Sequence, residues 1–167
     1  TSLSFGDSGT KIGYYTFDGC RSRSSVTIGS GVTTIGDNAF YECSSLTSVT
    51  IGDSVTKIGN YTFYGCSSLT SVTIGNGVTT IGEGAFYDCS SLTSVYISNI
   101  SAWYNISFLS SYANPLSNGC NLYLNNELVT DLTIPDSVTT IGERAFEVCS
   151  SLTRVTIPDS VTTIGAW

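Results

Sequence analysis

The cysteines are the residues of this sequence best suited to chemistry, and most of them recur at one interval. Four of them lie 23 positions apart: Cys20, Cys43, Cys66 and Cys89. Thiols bind metal ions, pair as disulfides or pack as small apolar groups. A metal site usually needs ligands a few residues apart and often uses His, but the sequence has no His and no closely spaced cysteines. We therefore predict that the series holds no metal.

Disulfides and free thiols remain as alternatives for these cysteines. If they occupy equal positions in stacked coils, their side chains point in one direction and their Cβ atoms stay too far apart for easy bonding. We therefore favour buried free thiols over disulfides. Cys120 departs from the interval and is expected to be partly exposed.

Serine and threonine are abundant, but the sequence offers little that would activate them as nucleophiles. There is no His, and the two lysines, Lys11 and Lys57, are expected at outward positions. Carboxylates such as Asp37 and Glu83 fall on a turn that lacks the dense acidic pattern of calcium loops. We therefore predict a protein that is not an enzyme and that uses neither a metal nor a cofactor.

The regular cysteines belong to a unit that recurs along most of the chain. It reads C-S-S-L-T-S-V-T-I-G-x-x-V-T-x-I-G-x-x-A/T-F-x-x, and a fixed period of this size predicts a solenoid. The alternating S-V-T-I run predicts a strand with one buried face, and V-T-x-I predicts a second short extended segment. The tail is expected to form one turn of helix or 3₁₀, with its Phe pointing inward.

These features predict a β-rich, right-handed repeat solenoid of about seven coils, with residues 1–167 forming a single domain. The first strands should stack into one parallel sheet with a spacing of about 4.8 Å. The expected strands are centred on Leu3–Phe5, Val26–Ile28, Val49–Ile51, Val72–Ile74, Val95–Ile97, Leu132–Ile134 and Val155–Ile157.

An irregular island at about residues 98–131 interrupts the period. Its first part predicts a short helix capped by Ser101, with Trp103 and Ile106 facing the core. Its last part predicts a hairpin that turns at Asn125-Asn126, since Asn tolerates positive φ. We expect the island to bulge from one edge while Leu132–Ile134 rejoins the sheet.

The repeated phrase S-S-L-T-S-V-T-I-G-x-x-V-T-x-I-G-x-x-A-F closely resembles the BspA-type leucine-rich repeat. The island, with its W-x-x-I, N-P-L and L-Y-L-N-x-E-L-V phrases, resembles a variant of that family. The resemblance implies a leucine-rich solenoid on a bacterial or protist cell surface, in a secreted protein, and some members resemble adhesins. It carries over neither catalytic residues nor a ligand site.

Tyr96, Asp131 and Arg154 depart from the small Ser and Thr pattern of the outward strand positions. These residues, with aromatic neighbours in the island and recurring tyrosines in the repeats, are the candidates for ligand binding. They are Tyr96, Trp103, Tyr104, Asp131 and Arg154 around the island, and Tyr41, Tyr64 and Tyr87 in the repeats. The three repeat tyrosines follow the buried Phe and should stack as a stripe. Aromatic side chains with a polar tip are common in recognition surfaces. Ordinary drift of a repeat array and shielding of the turn layer are the alternatives.

Charge and hydropathy narrow the classes of partner. The net charge is -7 and only six residues are Lys or Arg, which argues against nucleic acid and against docking on anionic lipid. No apolar stretch is long enough to insert into a membrane. We therefore predict a secreted or cell-surface module for adhesion that binds a host or partner protein, or a glycan. The alternative is a structural scaffold whose uncapped ends self-associate.

Overall fold

The structure, a computed structural model, describes residues 2–6, 9 and 11–166. It is a β solenoid in which each regular coil gives one strand to a first sheet and a two-residue strand to a second. In chain order the strands are β1 (Ser2–Phe5), β2 (Lys11–Ile12), β3 (Ser25–Ile28), β4 (Thr34–Ile35), β5 (Ser48–Ile51), β6 (Lys57–Ile58), β7 (Ser71–Thr73), β8 (Thr80–Ile81), β9 (Ser94–Ile97), β10 (Ser107–Phe108), β11 (Asn121–Leu124), β12 (Glu127–Leu128), β13 (Asp131–Thr133), β14 (Thr140–Ile141), β15 (Arg154–Thr156) and β16 (Thr163–Ile164). The island also contains the helix α1 (Ile100–Tyr104) and two 3₁₀ segments, Ser111–Ala113 and Pro115–Asn118.

The 23-residue period sets the register of both sheets. Val26 of β3 pairs with Val49 of β5, and Val49 pairs with Val72 of β7, all in parallel. Val49 and Ile51 are 2% and 1% exposed, whereas Thr50 between them faces solvent. Identical apolar residues therefore stack on identical ones inside the coil, as the alternating pattern predicts.

The tail of each regular unit turns without forming a helix. Its N–H groups bond to the neighbouring coil: Phe40 N donates to Thr62 O at 2.9 Å, and Phe63 N to Ala85 O at 2.8 Å. Residues in the left-handed region, such as Asn38 (φ 57°), also interrupt helical winding. The inward Phe is confirmed, since Phe63 is 0% exposed.

The island contributes to the first sheet, so the prediction that it bulges outside that sheet was wrong. Its strand β11 pairs in parallel with β9 and takes the sixth place. The predicted hairpin is confirmed, because Asn125 (φ 52°) and Asn126 (φ 68°) turn the chain into the antiparallel β12. β12 then occupies the open edge of β11. The predicted strands at Leu132–Ile134 and Val155–Ile157 therefore pair only with each other, as the two-stranded β13–β15 sheet.

The cap of helix α1 lies two residues before its predicted position. Asn99, and not Ser101, is the N-cap residue, and its Oδ1 accepts hydrogen bonds from Ser101 N (2.9 Å) and Ala102 N (3.3 Å). Asn99 is extended (φ −140°, ψ 110°), as a capping residue must be, whereas Ser101 is already helical. The inward orientation of Trp103 and Ile106 is confirmed, at 1% and 3% exposure.

Contacts from the island hold the last coils to the first ones. The Trp103 indole Nε1 donates to Ala145 O at 2.7 Å, and Gly142 N donates to Tyr104 O at 3.1 Å. One cluster of buried side chains runs through these contacts from Ile12 to Ala145. The core is thus continuous where both sheets are interrupted.

Candidate binding surfaces

Two tyrosine rings form a step on the first sheet. Tyr96 of β9 and Tyr123 of β11 are register partners, and their ring centroids lie 4.8 Å apart with 23° between the ring planes. On its other side Tyr96 pairs with Thr73 of β7. Because Thr73 is far smaller than a ring, the height of the surface falls sharply across one strand spacing. We call Tyr96 and Tyr123 the tyrosine step.

A cleft of about 340 Å³ lies in front of this step. Tyr96 borders it together with the small residues Thr50 and Thr73 of the neighbouring coils. The hairpin turn at Asn125-Asn126 and Asp53 also line it, as do residues 51–52, 74–75 and 97–98. The cleft therefore combines one aromatic wall with amide and carboxylate groups.

Asp53 gives the cleft its charge. Among the described residues that line it, Asp53 is the one ionisable acid and no side chain is cationic. Its Oδ1 accepts the N–H of Asn76 at 2.8 Å, which orients the carboxylate. A carboxylate can accept further hydrogen bonds, so a donor that enters the cleft would find a fixed acceptor there, in the cleft that the Tyr96 ring also borders.

Asp131 and Arg154 form an exposed ion pair away from the step. They are register partners on β13 and β15, and Arg154 Nη2 lies 3.0 Å from Asp131 Oδ2. Their side chains are 56% and 72% exposed, so the pair contributes about 0–1 kcal/mol. Tyr96 belongs to a different sheet, and the structure therefore does not place these three predicted residues on one strand ladder.

Trp103 and Tyr104 are core residues, and the expectation that they border an exposed binding face was wrong. Each is 1% exposed because α1 packs against the coil that follows the island. The Tyr104 ring meets Phe146 edge-on at 5.6 Å. Burial raises the pKa of Tyr104, and its hydroxyl has no partner among the described residues. Both side chains stabilise the joint between the two stacks of coils.

The predicted stripe of repeat tyrosines is confirmed as a stack. The ring centroids of Tyr41 and Tyr64 lie 4.7 Å apart, and those of Tyr64 and Tyr87 lie 5.4 Å apart. Tyr112 of the island extends the stripe, edge-on to Tyr87 at 4.6 Å. The rings cover one another on the turn layer, and a role of this stripe in binding stays a prediction.

The model of the BspA type leucine-rich repeat region matches this chain six times, over residues 1–114 and 119–167. The chain belongs to the BspA type leucine-rich repeat family. No curated protein matches it.

Solved bacterial protein structures share this fold. The T. pallidum leucine-rich repeat protein TpLRR superposes with a TM-score of 0.64 at 22% identity, over 98% of this chain and 72% of that one. The pneumococcal vaccine antigen PcpA superposes with a TM-score of 0.50 at 21% identity, over 96% of this chain and 41% of that one. At these identities the likeness shows the architecture alone.

The cysteines of these BspA type repeats are free thiols packed inside the turn layer. Cys43, Cys66 and Cys89 each donate their S–H to a Phe carbonyl of the preceding coil, at Phe17 O (3.0 Å), Phe40 O (3.2 Å) and Phe63 O (3.1 Å). The expected exposure of Cys120 was wrong. It is 0% exposed and its Sγ donates to Leu92 O at 3.2 Å, because the island folds Cys120 back into the core.

Burial governs the reactivity of these thiols. It raises the pKa of Cys89 and of Cys120 to about 12, from an ordinary 9.0. For Cys66, hydrogen bonding with Cys43 and burial raise the pKa further. The thiolate is the reactive form, so these side chains are protected from oxidation.

We expect the thiols of Cys89 and Cys120 to resist alkylation in the native chain at pH 8, while the half-buried Cys20 and Cys149 react first. Because the folded pKa of Cys89 and of Cys120 exceeds the unfolded one, the stability from these two thiols is fully present below about pH 9 and is lost as the pH rises toward 12. Thiol titration with a mass-spectrometric readout and urea melts at rising pH measure both effects. Equal reaction rates at all six cysteines would contradict this assignment.

The turn carboxylates serve internal hydrogen bonds. Asp37 Oδ1 accepts Asn60 N at 2.9 Å, and Asn60 Oδ1 accepts Glu83 N at 2.9 Å, one coil further on. In the part of the chain that the structure describes, no three His, Cys, Asp or Glu residues cluster as metal ligands would. None of the described helices has the length and hydropathy of a membrane span.

Sequence reasoning missed Tyr123, the partner of Tyr96. A signal was present, because Asn121-Leu122-Tyr123-Leu124 has the same alternation as Ser94-Val95-Tyr96-Ile97. The broken period concealed it, since β11 follows β9 by more than one repeat length.

Proposed function

We propose that this chain is a non-catalytic binding module that recognises a protein partner through the tyrosine step. The observation that supports this most is the pair of rings stacked at 4.8 Å, beside a cleft on a sheet of small side chains. Tyrosines in such positions often dominate binding free energy, because they bury a large area at little cost in conformational entropy. The coil-to-coil hydrogen bonds hold this surface in place before a partner arrives.

Charge indicates what the partner presents. The chain carries a net charge of -7, and Asp53 lies in the same cleft as the Tyr96 ring. A Lys or Arg side chain is the group that can interact with both the Asp53 carboxylate and the Tyr96 ring. It would form an ion pair with the carboxylate and a cation–π contact with the ring. We therefore propose a protein partner with a basic side chain at the centre of its interface.

We also propose that the module is displayed on a cell surface or secreted. The family resemblance supports this location, and so does the description of the structurally similar PcpA as a pneumococcal vaccine antigen. Thiols held in the core would stay reduced in an oxidising medium.

The test is binding of the purified chain to immobilised extracellular matrix proteins and to a glycan array at physiological salt. The informative variant is Tyr96→Thr with Tyr123→Thr, since Thr27, Thr50 and Thr73 occupy the equivalent position in other coils. We expect saturable binding to at least one basic protein, weakened by about tenfold or more in this variant, or over 1.4 kcal/mol. The variant Tyr41→Ala with Tyr64→Ala, on the turn layer, is the control and should bind normally.

Two results would contradict the proposal. Binding to glycans alone would show that the rings stack on sugars, and unchanged binding of the tyrosine-step variant would place the interface elsewhere. Arg154→Ala, measured in the same series, reports whether the exposed ion pair contributes.

Self-association is the second candidate function. Val155 and Ile157 of the last described coil are 39% and 46% exposed, although their counterparts in earlier coils are buried. Light scattering over a range of chain concentrations separates the two functions. A mass that stays monomeric at high concentration disfavours stacking.

A further inference from the structure

The second sheet stops at β10 because the next coil docks in another place. In regular coils the Gly after the second strand donates to the Ile of the preceding coil, as Gly82 N does to Ile58 O at 2.9 Å. Gly142 donates instead to Tyr104 O at 3.1 Å, and a Cβ at Gly142 would lie 2.7 Å from that oxygen. β14 is therefore packed against the end of α1 and does not pair with β10.

This arrangement leaves β10 with one open edge. Ser107 N donates to Thr79 O at 2.9 Å and Leu109 N donates to Ile81 O at 3.1 Å, both toward β8. Alternate residues of a parallel strand direct their backbone groups to opposite sides, so the N–H and C=O of Phe108 point away from β8. Among the described strands, none lies on that side. The first sheet differs, because β12 covers the edge of β11.

A cleft of about 500 Å³ adjoins the open edge. Residues 104–109 line it, together with Thr140, Gly142, Glu143 and Arg144 of the coil that follows the island. Arg144 is already neutralised, with Glu143 at 3.5 Å and Glu147 at 3.8 Å. The one cationic side chain of the cleft is therefore paired, and the lining combines polar residues with the apolar Ile106, Phe108 and Leu109.

Two large side chains near this edge are unusually exposed to solvent. Leu109, which lines the cleft, is 55% exposed, although the equivalent position in the preceding coil is the buried Gly82. Tyr112, three residues further along, is 52% exposed. An open strand edge beside exposed apolar side chains is the combination that binds an extended chain.

We propose that β10 and the adjoining cleft bind an extended segment of a partner protein, which adds to the second sheet as a further strand. The segment's backbone bonds to the N–H and C=O of Phe108, and an apolar side chain of the segment packs on Leu109. This site lies on a different sheet from the tyrosine step, and its existence does not depend on the function proposed for that step.

The experiment selects peptides that bind the wild-type chain from a phage-displayed library of random linear peptides. The selected peptides are then synthesised, and their affinity for the chain is measured. Thr140→Trp fills the cleft from an exposed position, and Thr139→Trp is the matched control, because Thr139 is exposed but does not line the cleft. We expect peptides whose affinity falls about tenfold or more in Thr140→Trp and less than about twofold in Thr139→Trp. Bound peptide should also slow hydrogen exchange at the Phe108 amide.

The proposal is overturned if no peptide is selected, or if the selected peptides bind Thr140→Trp as they bind the wild type. Peptides that lose binding only in the tyrosine-step variant would also overturn it, while supporting the function proposed for the step. N-methylation of alternate peptide residues, which removes backbone donors and leaves the side chains, should abolish binding if strand addition is the mode.

Discussion

Replacing Phe63 with alanine should lower the free energy of unfolding by about 3–5 kcal/mol, the usual cost of removing a buried aromatic ring. Phe63 is 0% exposed, and its ring stacks on Phe40 at 5.4 Å and on Phe86 at 5.3 Å. The loss therefore opens a cavity shared by three coils. Urea denaturation followed by circular dichroism measures it.

The matched control is Phe17→Ala, which removes the same ring from a partly buried position of the same stack. It should cost clearly less than Phe63→Ala, because Phe17 is solvent-accessible in part. An equal decrease in the free energy of unfolding in the two variants, or a decrease below about 1 kcal/mol for Phe63→Ala, would show that burial of the Phe stack does not stabilise the core as described.

Replacing Trp103 with alanine should separate the unfolding of the last coils from that of the first ones. Trp103 is 1% exposed and bonds to Ala145 O at 2.7 Å, so its removal takes away a buried ring and leaves a buried carbonyl unpaired. The expected loss is at least about 3–5 kcal/mol. Hydrogen exchange should then show β13–β16 opening at lower urea than β1–β9, because neighbouring repeats are coupled only through their interfaces.

Trp103→Phe is the informative companion. It keeps a ring against Phe108, which lies 5.4 Å away, but cannot donate to Ala145 O. We expect a loss of about 1–3 kcal/mol with unfolding still concerted. If Trp103→Ala unfolds in a single transition at every amide, the island is not the joint that couples the two stacks.

The regular coils could be predicted from the sequence because the same residue type recurs at the same position of successive coils. Val26, Val49, Val72 and Val95 fill one place in successive coils, so that an error at one coil would conflict with the others. The island occurs once and offers no such check. Its Leu122 aligns with Val95 in the structure, but nothing in the broken period indicated which of its apolar residues would continue the sheet.

The candidate surface was predictable only where a residue departs from the repeat on a known strand. Tyr96 met that condition, whereas Tyr123 did not, because its strand was predicted as part of a hairpin and not as a member of the first sheet. Large aromatic side chains are equally suited to a core and to an interface, which is why Trp103 could be read as both. The open edge of β10 depends on how β14 docks, through the Gly142–Tyr104 contact, and local sequence carries no signal for that.

The most direct test of binding at the tyrosine step is a hydrogen-exchange footprint of the chain in complex with the matrix protein that it binds. We predict slower exchange at the amides around the cleft, at residues 52–53, 75–76 and 125–126. This protection should disappear in the variant Tyr96→Thr with Tyr123→Thr. Saturable binding whose footprint lies only on the turn layer around Tyr41 and Tyr64 would contradict the account.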